Sequence, residues 1–155
     1  MRPMSEVRAA ALEDADVVGG LLFDFNIEFE TPTPPAQEFA RRFASLLLRD
    51  DVLVLLAGPE EATGFAYLTL RPTPYGDGPL AQLEELYVRP HLRGRGIGTA
   101  LLTRAAVEVE GRGAIEMHIN VDEIDVDARR FYERHGFVNI EPGTDYRMLC
   151  YLREL

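Results

Sequence analysis

Six consecutive residues, Arg93-Gly94-Arg95-Gly96-Ile97-Gly98, put three glycines at alternate positions between a strand-like segment, Gln82 to Val88, and a segment of helical spacing, Ile97 to about Arg112. Glycine lets backbone amides turn inward and lets a ligand touch the main chain, because no Cβ intervenes. The first turn of the following helix adds unpaired N–H groups and the positive end of the helix dipole. Such a turn is suited to a phosphate or pyrophosphate. The spacing is not Gly-x-Gly-x-x-Gly, and no lysine precedes a serine or threonine, so neither a dehydrogenase fingerprint nor a P-loop is present. Ile115 to Val121 reads as the next strand. A strand, helix and strand of this length make a right-handed crossover between parallel neighbours.

The rest of the chain wraps this unit in hairpins. Val7 to Ala10 is a short strand, and Leu12 to Phe29 is helical through Val17, Val18, Leu21, Leu22 and Phe25, with Glu13, Asp14 and Asp16 at its positive end. Thr31-Pro32-Thr33-Pro34-Pro35 breaks it, and Ala36 to Arg49 resumes helical spacing. Val52 to Ala57 and Gly64 to Leu70 form an antiparallel pair across the turn Gly58-Pro59-Glu60-Glu61. Asp125 or Asp127 caps a fourth helix that Gly136 ends, and Phe137 to Ile140 and Tyr146 to Leu152 read as closing strands. The expectation is one mixed α/β domain over residues 1–155. Its sheet has six to seven mostly antiparallel strands, with about four helices.

A formal net charge of −10 disfavours nucleic acid, and the basic run Arg89, His91, Arg93 and Arg95 stands out as a local reversal fit for one small anion. The single cysteine, Cys150, read as a small core residue on a terminal strand, allows no internal disulfide and makes a reducing cytoplasm the default. No stretch reads as a signal peptide or membrane span. His91, His118 and His135 lack paired ligands, so no metal is expected.

Two segments carry a resemblance. Leu83-Glu84-Glu85-Leu86-Tyr87-Val88-Arg89-Pro90, followed by Arg93 to Gly98 and Thr99-Ala100-Leu101-Leu102, resembles the strand, Arg/Gln-x-x-Gly-x-Gly/Ala turn and helix of the GNAT superfamily of N-acetyltransferases. Asp127-Ala128-Arg129-Arg130-Phe131-Tyr132-Glu133-Arg134-His135-Gly136-Phe137 is similar to the family's Ala-x-x-Phe-Tyr-x-x-x-Gly-Phe segment. The resemblance implies acetyl-CoA as cosubstrate, bound where one parallel strand pair splays apart. It implies that amides around Arg95, Gly96, Gly98 and Thr99, in a turn that includes Arg93, Gly94 and Ile97, hold the CoA pyrophosphate. Arg93 steadies the turn or a phosphate. The backbone of Leu86 and Val88, on the strand that also carries Tyr87, pairs with the pantetheine arm. Phe131 and Tyr132 belong to the cofactor side of the second segment, with Phe131 expected in the core. Where the family usually has a pantetheine-bonding asparagine this chain has Asp125, which accepts but cannot donate.

An amine of lysine-like pKa is about one part in a thousand neutral at pH 7, so acetyl transfer to it benefits from a base. Glu84 and Glu85 lie beside the cofactor strand on opposite faces. Alignment to the family favours Glu84, while a bulge would exchange the faces and favour Glu85. The resemblance places the Tyr132 hydroxyl near the thioester sulfur, as the acid for the departing thiolate, and the Val88 amide at the oxyanion. The expected acceptor is a small-molecule primary amine. A non-catalytic acyl-CoA-binding regulator and a peptide or protein N-acetyltransferase are the alternatives. Many members of the family dimerise, and pairing of Tyr146 to Leu152 across an axis would make a homodimer.

Overall fold

The structure, a computed structural model, describes residues 3–155. Contacts divide the chain into two compact units, Met1–His118 and Ile119–Leu155. Five strands, β1 (Val7–Ala9), β2 (Val52–Ala57), β3 (Gly64–Arg71), β4 (Leu80–Val88) and β5 (Glu116–Ile119), lie in the order β1-β2-β3-β4-β5. The first four pair antiparallel, and β4 and β5 run parallel. Four helices accompany them: α1 (Ala15–Glu28), α2 (Ala36–Leu46), α3 (Ile97–Gly111) and α4 (Val126–Arg134).

In the first unit the sheet is packed on both faces, which is why β2 is apolar and buried along its whole length. Val52, Val54 and Leu56, with Phe65 and Tyr87, meet Val18, Leu21 and Leu22 of α1 and Phe43 of α2. The alternate residues Leu53, Leu55, Ala66, Leu68, Ala81 and Leu83 are also buried, and α3 packs on β2, β3 and β4 with Ile97, Leu101, Leu102, Ala105 and Val109 buried. Phe25 of α1 stacks on Tyr87 of β4 with ring centroids 4.9 Å apart, fixing this helix to that strand.

Several expectations need correction. The sheet has five strands among the described residues, not six or seven. Phe137 to Ile140 and Tyr146 to Leu152 are not strands. One bond, from the Met148 N–H to the Asn139 carbonyl at 2.7 Å, and a turn closed by the Thr144 N–H on Glu141 bring the two segments together, but no ladder follows. Alternating side chains do not make a strand without successive backbone partners. Cys150 is exposed rather than a core residue. α1 begins at Ala15, after a 3-10 turn at Leu12–Asp14, because Asp14 turns back to accept from the Ala11 N–H at 2.8 Å and to pair with Arg8.

Candidate active site

The glycine turn follows a short 3-10 turn, Pro90–Leu92, whose Leu92 side chain is buried. Gly94 and Gly96 have φ of +75° and +83°, and nothing lies within 4 Å of where a Cβ would stand at either. Backbone conformation, not crowding, demands glycine there, and the space outside stays open. Gly96 is the N-cap of α3 and offers no side-chain cap. Ile97 anchors the helix start with its buried side chain, leaving only its amide for other work. The first helical bond runs from the Ala100 N–H to the Gly96 carbonyl at 3.0 Å. The amides of Ile97, Gly98 and Thr99 precede it and are the donors left for an anion.

The basic run beside the turn is less free than its sequence suggests. Arg89 pairs with Asp24 at 2.7 Å, and Arg93 grips both carboxylate oxygens of Glu28 at 2.7 and 2.8 Å while its Nε donates to the Val88 carbonyl at 3.0 Å. Arg95 is exposed and makes no ion pair among the described residues. Asp24 and Glu28, four residues apart on α1, therefore neutralise two of the three arginines. Sequence reasoning missed this pairing. The available signal was two carboxylates on one helical face near the end where carboxylates are least favoured.

On β4 the hydrogen-bond parity separates two sets of backbone groups. The Arg89 N–H donates to the Thr63 carbonyl at 2.9 Å, and Val88 faces Gly64 in register. Arg89 and Tyr87 therefore spend their backbone groups on β3, and Val88 and Leu86 turn theirs to the outer edge. β5 begins beside the start of β4, where the Ile115 N–H donates to the Pro79 carbonyl at 3.1 Å, and it is only four residues long. At about 3.3 Å per residue it ends well before Leu86. The edge at Leu86 and Val88 thus extends past β5. Tyr87 gives its ring to the core and its backbone to β3, so neither faces that edge.

The two glutamates are separated by a bulge. Tyr67 faces Glu85 and Leu68 faces Leu83, so Glu84 is the extra residue. Directly paired residues share a face, which puts Glu85 with Tyr67, on the side covered by α1 and α2, where Tyr87 and Phe65 also lie. Burial, and secondarily the charge of Glu84, pushes the Glu85 carboxyl up to about 7. Glu84 is exposed, and burial of its carboxyl raises it against the Thr69 hydroxyl and the Arg71 charge. The concavity of about 430 Å³ rimmed by Arg8, Asp14, Asp16, Glu60 and Glu61 includes neither glutamate nor the turn. Chemistry, not depth, picks out this region.

In the second unit, α4 carries Tyr132, which is 8% exposed. The helix ends in a Schellman motif: the Gly136 N–H donates to Glu133 at 3.2 Å and the Phe137 N–H to Tyr132 at 3.0 Å, with Gly136 at φ +91°. The Phe137 ring then packs edge-on to Tyr132, centroids 5.6 Å apart. The Gly-Phe pair of the sequence motif is thus a cap that fixes the tyrosine ring. Phe131 is half-buried against Tyr132 and His135 rather than fully in the core. Asp125 occupies the N-cap position of α4, but its side chain makes no capping bond. Among the described residues no three His, Cys, Asp or Glu side chains gather where a metal ion could be held, and no helix is long and apolar enough to cross a membrane.

Known proteins share both the sequence pattern and the fold. The sequence pattern of the acetyltransferase (GNAT) family matches residues 20–137. The aminoalkylphosphonate N-acetyltransferase of Salmonella typhimurium is 32% identical over 136 residues, 87% of this chain and 86% of that protein. Glucosamine 6-phosphate N-acetyltransferase 1 of Oryza sativa subsp. japonica is 34% identical over 146 residues, 88% of this chain and 85% of that one. A crystal structure of an Arthrobacter sp. FB24 protein assigned as an acetyltransferase superposes with a TM-score of 0.92 at 48% identity, over 100% of this chain and 99% of that one. With glycine turn, parallel strand pair and capped tyrosine all in the family's order, this chain belongs to the GNAT acetyltransferase family and is an N-acetyltransferase.

Proposed function

We propose that the chain transfers an acetyl group from acetyl-CoA to the primary amine of a small molecule by direct attack within a ternary complex. One observation carries the reading: at Gly94 and Gly96 the backbone is held at positive φ beside open space, at the N-terminus of a fifteen-residue helix. The residues present fit the cofactor. The amides of Ile97, Gly98 and Thr99, with Arg95 beside them, would hold the pyrophosphate, and the outer edge of Leu86 and Val88 would take the pantetheine amides as an added strand. Acetyl-CoA, when bound, supplies the acetyl group as a thioester. Glu85 receives the proton that the acceptor ammonium must lose, and a carboxyl titrating near neutrality suits that task. The Val88 N–H donates to the acyl oxygen as charge develops on it. Tyr132 gives a proton to the departing sulfur.

The family pattern runs across both compact units, which supports reading residues 1–155 as one functional domain. The two curated relatives are named for acceptors that join an amine to a phosphonate or phosphate, so compounds of that kind belong among the acceptors tested. Exposed Tyr146, Leu149, Tyr151 and Leu152 support a homodimer through the late segment. Thiol release from acetyl-CoA is the assay, run with aminoalkylphosphonates, amino-sugar phosphates, polyamines and short peptides. Turnover on a small amine, with CoA affinity reduced tenfold or more in Gly96→Val, is the expected result. CoA binding without turnover on any acceptor, or turnover on peptides alone, would overturn it.

A further inference from the structure

α1 ends on a carboxylate. Glu28 is its last residue, no basic residue stands in its last turn, and a negative charge at this end opposes the helix dipole. Helix stability alone therefore gives no reason for a glutamate here. Its two oxygens are both taken by the Arg93 guanidinium, the first residue of the glycine turn, 65 positions away in sequence. The same guanidinium lies 5.9 Å from the centroid of the Phe29 ring and 5.7 Å from that of Tyr87. Its Nε donates to the Val88 carbonyl at 3.0 Å. Arg93 is thus used on every side: a fork in Glu28, two aromatic rings against it, and a bond to the outer edge of β4 next to the Val88 N–H.

We propose that Glu28 is a positioning residue for acetyl transfer, acting through Arg93 to hold the end of β4 and the head of the glycine turn in one arrangement. The inference rests on the reading of the turn as the CoA site and assigns Arg93 to the scaffold of that site, with exposed Arg95, which makes no ion pair among the described residues, beside it. A planar fork is needed for this work. A lysine could meet Glu28 but could not also donate to Val88 in the same geometry.

The test is a double-mutant cycle by calorimetry with CoA, using the unaltered chain, Glu28→Gln, Arg93→Met and the double variant. Each single change is expected to weaken CoA about tenfold, and the double no more than Arg93→Met alone. Turnover of an amine at saturating acetyl-CoA should fall about threefold or more in Glu28→Gln. Its thermal midpoint should stay or rise, because the carboxylate at the negative helix end is gone. Arg93→Lys should lose affinity although it keeps the charge. If Glu28→Gln binds CoA as well as or better than the unaltered chain, or if the two single losses multiply in the double, the positioning role is wrong and Arg93 is a phosphate ligand that Glu28 merely occupies. Absence of CoA binding by the unaltered chain would overturn this inference and the proposed site together.

Discussion

The C-terminal end of β4 and its middle differ in chemistry within one strand. At Val88 the backbone turns to the outer edge, Arg95 beyond it is exposed, and the neighbouring carboxylates of Asp24 and Glu28 are each matched by an arginine. At Glu84 and Glu85, two carboxylates sit side by side, and Glu85, the more buried of the pair, faces no cation that lowers it. In the proposed site the C-terminal end holds the negative ligand. The middle takes the proton in that reading. The bulge at Glu84 turns Glu85 to the face covered by α1 and α2 while Leu83 stays on the α3 face.

Changing the middle of β4 and reading binding at its C-terminal end tests this contrast. Glu85→Gln should lower kcat/KM for an amine about 100-fold at pH 8 and leave CoA affinity unchanged, whereas Glu84→Gln should cost about threefold or less. Equal losses in the two variants would mean that the bulge does not sort them. In the unaltered chain the rate should rise with pH through about 7 as Glu85 loses its proton, and Glu85→Gln should abolish that rise. A smaller effect is on stability. The folded state holds the Glu85 proton up to about 7, against an ordinary 4.5, so the contribution present below about pH 4.5 is lost as pH rises through 7. Chemical denaturation should find Glu85→Gln more stable than the unaltered chain above pH 7, by at most about 3 kcal/mol because solvent still reaches the carboxyl, and the gap should close toward pH 4.5.

What could be seen in the sequence follows the range of the forces involved. The glycine turn was legible because positive φ is a local demand, met by Gly94 and Gly96 wherever they fold. Helix and strand periods placed α1 to α4 and β1 to β5 within a few residues for the same reason. Which of Glu84 and Glu85 shares a face with Tyr67 was not legible, since a bulge depends on how β3 meets β4. The clamp of Arg93 by Glu28 was hidden because it joins residues far apart in the chain. The late segments misled because Tyr146, Met148 and Leu152 alternate like a strand, yet among the described residues the backbone bond from Met148 to Asn139 is followed by no second rung. Tyr132 was named by its motif, but why Gly136 and Phe137 accompany it emerged only from the cap they form.

Carboxyl-carbon NMR titration of the glutamates, with Glu85→Gln to assign the resonance, measures the asymmetry of β4 directly. One glutamate resonance with a midpoint near 7, missing in Glu85→Gln, is the expected result. A Glu85 midpoint near 4.5, or a neutral midpoint that survives the substitution, would contradict it.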